Sequence, residues 1–230
     1  MSNSESDGSF ENEWDDRGEL AWNEFDWENY LRTQDALVFR YLKLYEKHRT
    51  KPDRIDLVAH QMGWDEESWS SDDDDGPPET AASNEAEDSD DSEPYTVHKN
   101  PIFISTKAIC QSLKQGWEKQ AADPSRIPQA FALSVHSALY RCEEQAMLAV
   151  NALDFGDYAM AISLFKRALR ELNQCFSLLT NPRLDGGRHV QAMRDEIFPK
   201  LFDLREIWFR VINECREELE RPTDDDEESE

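Results

Sequence analysis

The sequence predicts an all-α protein. It reads as an antiparallel up-and-down helical bundle, preceded by an N-terminal two-helix module and interrupted by disordered acidic segments. Three observations carry that reading. Apolar residues recur at three- and four-residue spacing over long stretches. No alternating apolar–polar run of strand type competes with them. The acids are gathered in segments almost bare of Lys and Arg.

The charge map sets the organisation. The 230 residues hold 25 Lys and Arg against 50 Asp and Glu, a net charge of −25. Residues 1–31 carry ten acids and Arg17, residues 65–98 fourteen acids and no Lys or Arg, and residues 217–230 nine acids and Arg221. The stretches 32–64 and 99–216 are each slightly basic. We therefore expect an acidic disordered N-terminus at 1–17, a helical module at 18–64, an acidic disordered linker at 65–98, a four-helix bundle at 99–220 and an acidic disordered tail at 221–230. The linker also contains Pro77 and Pro78 and too few apolar residues to offset the entropy of ordering it.

In the module, Trp22, Phe25, Trp27, Tyr30, Leu31, Leu37, Val38, Tyr41, Leu44 and Tyr45 lie at helical spacing on a wide face. A second short helix is expected after Thr50, with Thr50 and Asp53 as an N-cap pair, Pro52 in its first turn and Gly63 ending it. Ile55, Val58, Ala59 and Met62 line one side of it. Two helices of this size make a poor core alone. Their aromatic face, with Trp22, Phe25, Trp27, Tyr30 and Tyr41 as its candidate contact residues, must dock on the bundle or on a partner.

Four helices are expected in the bundle, at about 102–120, 128–153, 157–180 and 189–220. The first carries Ile109, Leu113 and Trp117, and its β-branched opening is compatible with extended chain. In the second, Phe131, Val135, Ala138, Leu139, Cys142, Ala146 and Ala149 mark the core face, and in the third Ala161, Phe165, Ala168, Leu172 and Phe176 do so. Val190, Met193, Ile197, Leu201, Leu204, Trp208 and Val211 mark the fourth, where Pro199 removes one backbone donor and is expected to kink or break it. Short connections favour antiparallel neighbours.

Gly156-Asp157-Tyr158, followed by Ala161, Phe165 and Ala168-Leu169, with Ala149 before them, resembles the turn and second helix of a tetratricopeptide repeat. One repeat is visible, over about a tenth of the chain, so the resemblance implies a helical hairpin inside a bundle and not a peptide-binding array. Arg183 and His189 stand at an Rx5H spacing in the sequence Arg183-Leu184-Asp185-Gly186-Gly187-Arg188-His189. That spacing is similar to the motif of the HEPN superfamily, all-helical domains that include metal-independent RNases. Leu184 departs from the polar residue usual there. The resemblance would give the arginine phosphoryl charge to stabilise and the histidine a proton to move. The alternative is a basic, glycine-rich interhelical loop. The stretch Ile55–Trp64 is similar to the first half of a helix-turn-helix, but the chain after it would push acids at phosphates.

No other catalytic pattern is present. Glycine-rich phosphate loops, nucleophile elbows, HExxH and ExxH are all absent. His136 precedes Glu143 by seven residues, which defines no ligand pair. Cys110, Cys142, Cys175 and Cys215 lie at least 32 residues apart in helical apolar patterns, as buried thiols do. No apolar run is long enough to span a membrane. The expectation is a cytoplasmic, non-enzymatic interaction or adaptor protein that uses no cofactor and no metal. It would bind a protein partner and neither DNA nor membranes directly. The alternatives are an HEPN-like RNase or its inactive relative, and an acidic mimic that inhibits a basic-grooved partner.

Overall fold

A computed structural model describes residues 22–64, 96–181 and 188–221, without the side chains of 188 and 189. The expected acidic segments at 1–17 and 65–98 and the tail lie almost wholly outside these residues. The described residues are all-helical, as predicted. Six helices follow one another: α1 (Glu24–Lys47), α2 (Arg54–Met62), α3 (Pro101–Ala121), α4 (Gln129–Asp154), α5 (Tyr158–Leu179) and α6 (Arg188–Glu220). A single 3-10 turn, Val97–Lys99, leads into α3.

Local chemistry starts and stops these helices. Asn23 caps α1: its side chain accepts the Phe25 and Asp26 amides at 2.8 and 3.3 Å. The Asn23 amide in turn donates to the Asp26 carboxylate at 3.0 Å, closing a capping box. Trp22 therefore stands outside the helix that its spacing suggested. The second helix begins at Arg54, with Asp53 at the N-cap making no side-chain cap bond. Pro52 thus lies outside the first turn expected of it. Lys51 still closes a turn onto the His48 carbonyl at 2.8 Å, which delays the helix. Gly63, at φ 85°, ends α2 with paired amide-to-carbonyl bonds, Gly63 to His60 and Trp64 to Ala59.

The β-branched opening of α3 is helical, not extended. Asn100 accepts the Ile102 and Phe103 amides at 2.8 and 3.4 Å, and Pro101 occupies the first helical position. That cap outweighs the weak propensity of Ile102 and Ile104. Between α4 and α5, Gly156 at φ 73° allows a three-residue turn, and Asp157 caps α5 by accepting the Met160 amide at 2.9 Å. Pro199 sits inside α6 without breaking it. Buried Ile197 and Leu201 on either side of it hold the helix to the core.

Packing closes a ring in the order α3, α4, α5, α6 and back to α3. Each step is antiparallel. The Trp117 indole N–H donates to the Ala132 carbonyl (3.2 Å) across α3 and α4. The Arg141 guanidinium meets Glu171 (2.9 Å) across α4 and α5. Phe176 packs on Phe198 (5.5 Å) across α5 and α6, while Trp208 donates to Thr106 (3.1 Å) across α6 and α3. Small residues let α4 and α5 come close: Ala146, Ala149, Ala161 and Ala168 are all fully buried.

The α1–α2 hairpin lies outside this ring, on α3 and α6. Helix α1 runs parallel to α3, because Tyr30 reaches Thr96 at one end and Ser112 reaches Glu46 at the other. Val38, Tyr41, Tyr45, Ile55 and Val58 belong to the same apolar core as the bundle.

Candidate functional site

Five residues of α1 and its approach were the candidates for a docking or partner face. The structure divides them. Tyr30 and Tyr41 are buried within the chain. Trp22 is half-buried. Phe25 and Trp27 remain 71% and 41% exposed. Trp22, Trp27 and Tyr30 form a three-ring cluster with edge-on contacts at 5.0, 5.6 and 5.9 Å between centroids. Tyr30 hydrogen-bonds Thr96 and lies edge-on to the His98 ring, which meets Phe103 of α3. The cluster is thus fixed from below, and Trp27 at its outer edge faces solvent.

Further along α1 the same face closes onto α2 and α6. Asp203 of α6 takes the Tyr45 hydroxyl and the Arg54 guanidinium on one carboxylate oxygen. Arg54, 5% exposed, also donates to the Arg49 carbonyl at 2.9 Å and lies 4.7 Å over the Tyr45 ring. Burial, and next the Asp203 charge, push the Tyr45 hydroxyl far above the ordinary tyrosine range, so it stays a donor. A second contact joins Glu46, Ser112 and Lys200: Lys200 is 2.7 Å from both Glu46 and Ser112, and Ser112 donates to Glu46 at 3.0 Å. Burial alone would raise the Glu46 carboxyl, but the hydrogen bond and charge of Lys200, with Ser112, bring it below the usual range. A third ion pair, Arg210–Asp56, sits further out.

Magnitudes rank these contacts. Each buried aliphatic side chain is worth about 1.5–3 kcal/mol, and an exposed ion pair such as Arg210–Asp56 about 0–1 kcal/mol. Apolar contact therefore holds the hairpin down, and the ion pairs fix its register along α6.

Comparison with family models, curated proteins and solved structures gives no match.

Arg183 lies outside the described residues, as does the side chain of His189, so the Rx5H pair has no geometry to report. Among the described residues, no three His, Cys, Asp or Glu side chains are placed to hold a metal ion. The four cysteines are free and buried. Burial raises all four thiols, Cys175 to about 12 and Cys215 to about 11, which suits packing and not nucleophilic attack. His136 is half-buried with its ring 4.4 Å from Tyr140. No described helix is long and apolar enough to cross a membrane.

Two shallow grooves flank α6. One, of about 590 Å³, lies between Thr180, Arg194, Phe198 and Phe202. The other, of about 500 Å³, lies between Ile55, Phe202, Phe209 and Arg210. Sequence reasoning missed the polar seam of Arg54, Asp203, Glu46, Ser112 and Lys200. Its pairs are 66 to 154 residues apart, and no local pattern marks them. Asp203 and Lys200 three residues apart on the last helix were its one visible signal.

Proposed function

We propose that this chain is a non-enzymatic helical interaction protein that presents the N-terminal end of α1 to a protein partner, in the cytoplasm. The observation that carries the reading is the split of the aromatic face. Tyr30 and Tyr41 are consumed by the chain's own core, whereas Phe25 and Trp27 stay 71% and 41% exposed. Trp27 is held in place by ring contacts to Trp22 and Tyr30. A large aromatic anchored this way loses little freedom on binding, and aromatic anchors dominate protein interfaces.

The experiment is a pull-down at mild salt with the full chain against Phe25→Ala and Trp27→Ala variants. A specific partner retained by the wild type and lost from both variants supports the reading. The same set of partners on all three proteins refutes it. Among the described residues Phe25 touches no buried ring, and Trp27→Ala removes an edge-on contact to only one, Tyr30, so circular dichroism should show unchanged helicity.

A further inference from the structure

A different stretch of α1 carries a second surface. Positions 40, 43 and 47 repeat at three- and four-residue spacing, so Arg40, Lys43 and Lys47 share the face of α1 turned away from the core. Arg49 and Lys51 follow in the turn to α2. All five are exposed, and none forms an ion pair with a described acid. Of the acids nearby, Glu46 pairs with Lys200 and Asp56 with Arg210. Phe39, 58% exposed, adds an apolar edge.

The chain itself contains the matching charge. Residues 65–98 hold fourteen acids and no Lys or Arg. Both described ends of that stretch are attached to α1. Trp64, the last residue before it, stacks on Tyr41 at 5.7 Å with the rings 21° apart. Thr96, the first residue after residue 95, hydrogen-bonds Tyr30. Arg40 leans toward the same exit, its guanidinium 3.4 Å from the Gln61 carbonyl at the end of α2. Eleven helical residues separate Tyr30 from Tyr41, about 16 Å along the axis. A flexible chain of 31 residues has a mean reach of about 30 Å, long enough to reach the basic face from both ends. Tethering at both ends corresponds to an effective concentration in the millimolar range.

We propose that the outer face of α1 from Arg40 to Lys51 is a docking surface for acidic polypeptide, and that its occupant is the chain's own segment 65–95. The contact is electrostatic and many-centred: it needs charge on both sides and no fixed register. It opposes any outside polyanion, which must displace about fourteen tethered carboxylates to reach the same five bases.

Zero-length carbodiimide cross-linking of the full chain, read by mass spectrometry, tests this directly. Isotopically labelled and unlabelled chains are mixed to separate links within a chain from links between chains. At low salt, Lys43, Lys47 and Lys51 should join carboxylates of 65–95 within one chain, about tenfold more often than Lys119 or Lys166 does. About 1 M salt should remove the preference. In a Lys43→Gln/Lys47→Gln variant, both positions being exposed, the links at Lys51 should fall severalfold. Links spread evenly over the surface lysines, links mainly between chains, or links mainly to the tail acids of 217–230 would each overturn the proposal. So would an unchanged Lys51 yield in the variant.

Discussion

Asp203 joins the hairpin to the bundle through two buried partners. It satisfies Arg54 and Tyr45 together, and both are almost fully buried. Asp203→Ala leaves a buried guanidinium without its counter-charge, so it should cost about 3–5 kcal/mol in urea unfolding. The two neighbouring tyrosines should separate in the same assay. Tyr45→Phe removes a hydrogen bond to a charged group and should cost about 1.5–3 kcal/mol. Tyr41 is as deeply buried, but its hydroxyl has no hydrogen-bond partner among the described residues. Tyr41→Phe should therefore be neutral or stabilising. Glu46 sets a pH dependence. Its carboxyl lies below the ordinary value of 4.5 in the folded chain. Its contribution is thus full above 4.5 and is lost as the pH falls through the lower folded value. The side chain is 40% exposed, so the effect is modest. Acid titration of wild type against Glu46→Gln checks it: the wild type should lose more stability below that pH, and parallel curves would count against the contact.

At the scale of elements, the ends of helices explain most of the agreement and most of the differences. Gly63 and Gly156 were legible because a left-handed residue after an apolar run is a strong stop signal. Asn23 and Asn100 are caps that the apolar periodicity does not mark. At Asn100-Pro101 a cap followed by proline starts a helix even before Ile102 and Ile104. Asn100→Ala should cost about 1 kcal/mol, and Gly156→Ala about 1–2 kcal/mol for forcing a side chain into the left-handed region. Thermal melts measure both. If Gly156→Ala melted with the wild type, the α4–α5 turn would not need its left-handed residue.

For the molecule as a whole, the shared core makes a prediction about cooperativity. Val38, Tyr41 and Tyr45 of α1 and Val58 of α2 pack in the same cluster as Trp117, Phe165 and Trp208 of the bundle. The described helices should therefore unfold in one transition. Urea curves followed by far-UV dichroism and by tryptophan fluorescence should coincide, since tryptophans lie in both parts. Two separated transitions would show the hairpin to be an independent unit. The four buried thiols should react with iodoacetamide at pH 8 only along that same transition, because burial holds each of them well above this pH.

The sequence by itself determined the helical class, the approximate span of each helix and the apolar stripe that each turns inward. These follow from periodicity and local stop signals, which act over a few residues. Its charge map also showed that the acids gather outside the two nearly neutral stretches. What covers the aromatic face of α1 was decided only by the tertiary structure. Val38, Tyr41 and Tyr45 go to the core, while Phe25 and Trp27 are left outside. That choice depends on where α3 and α6 pass, and Asp203, Lys200 and Arg210 meet α1 and α2 from positions more than a hundred residues away. A side chain's spacing along its own helix says which way it points, but only the packed neighbour says whether anything waits there.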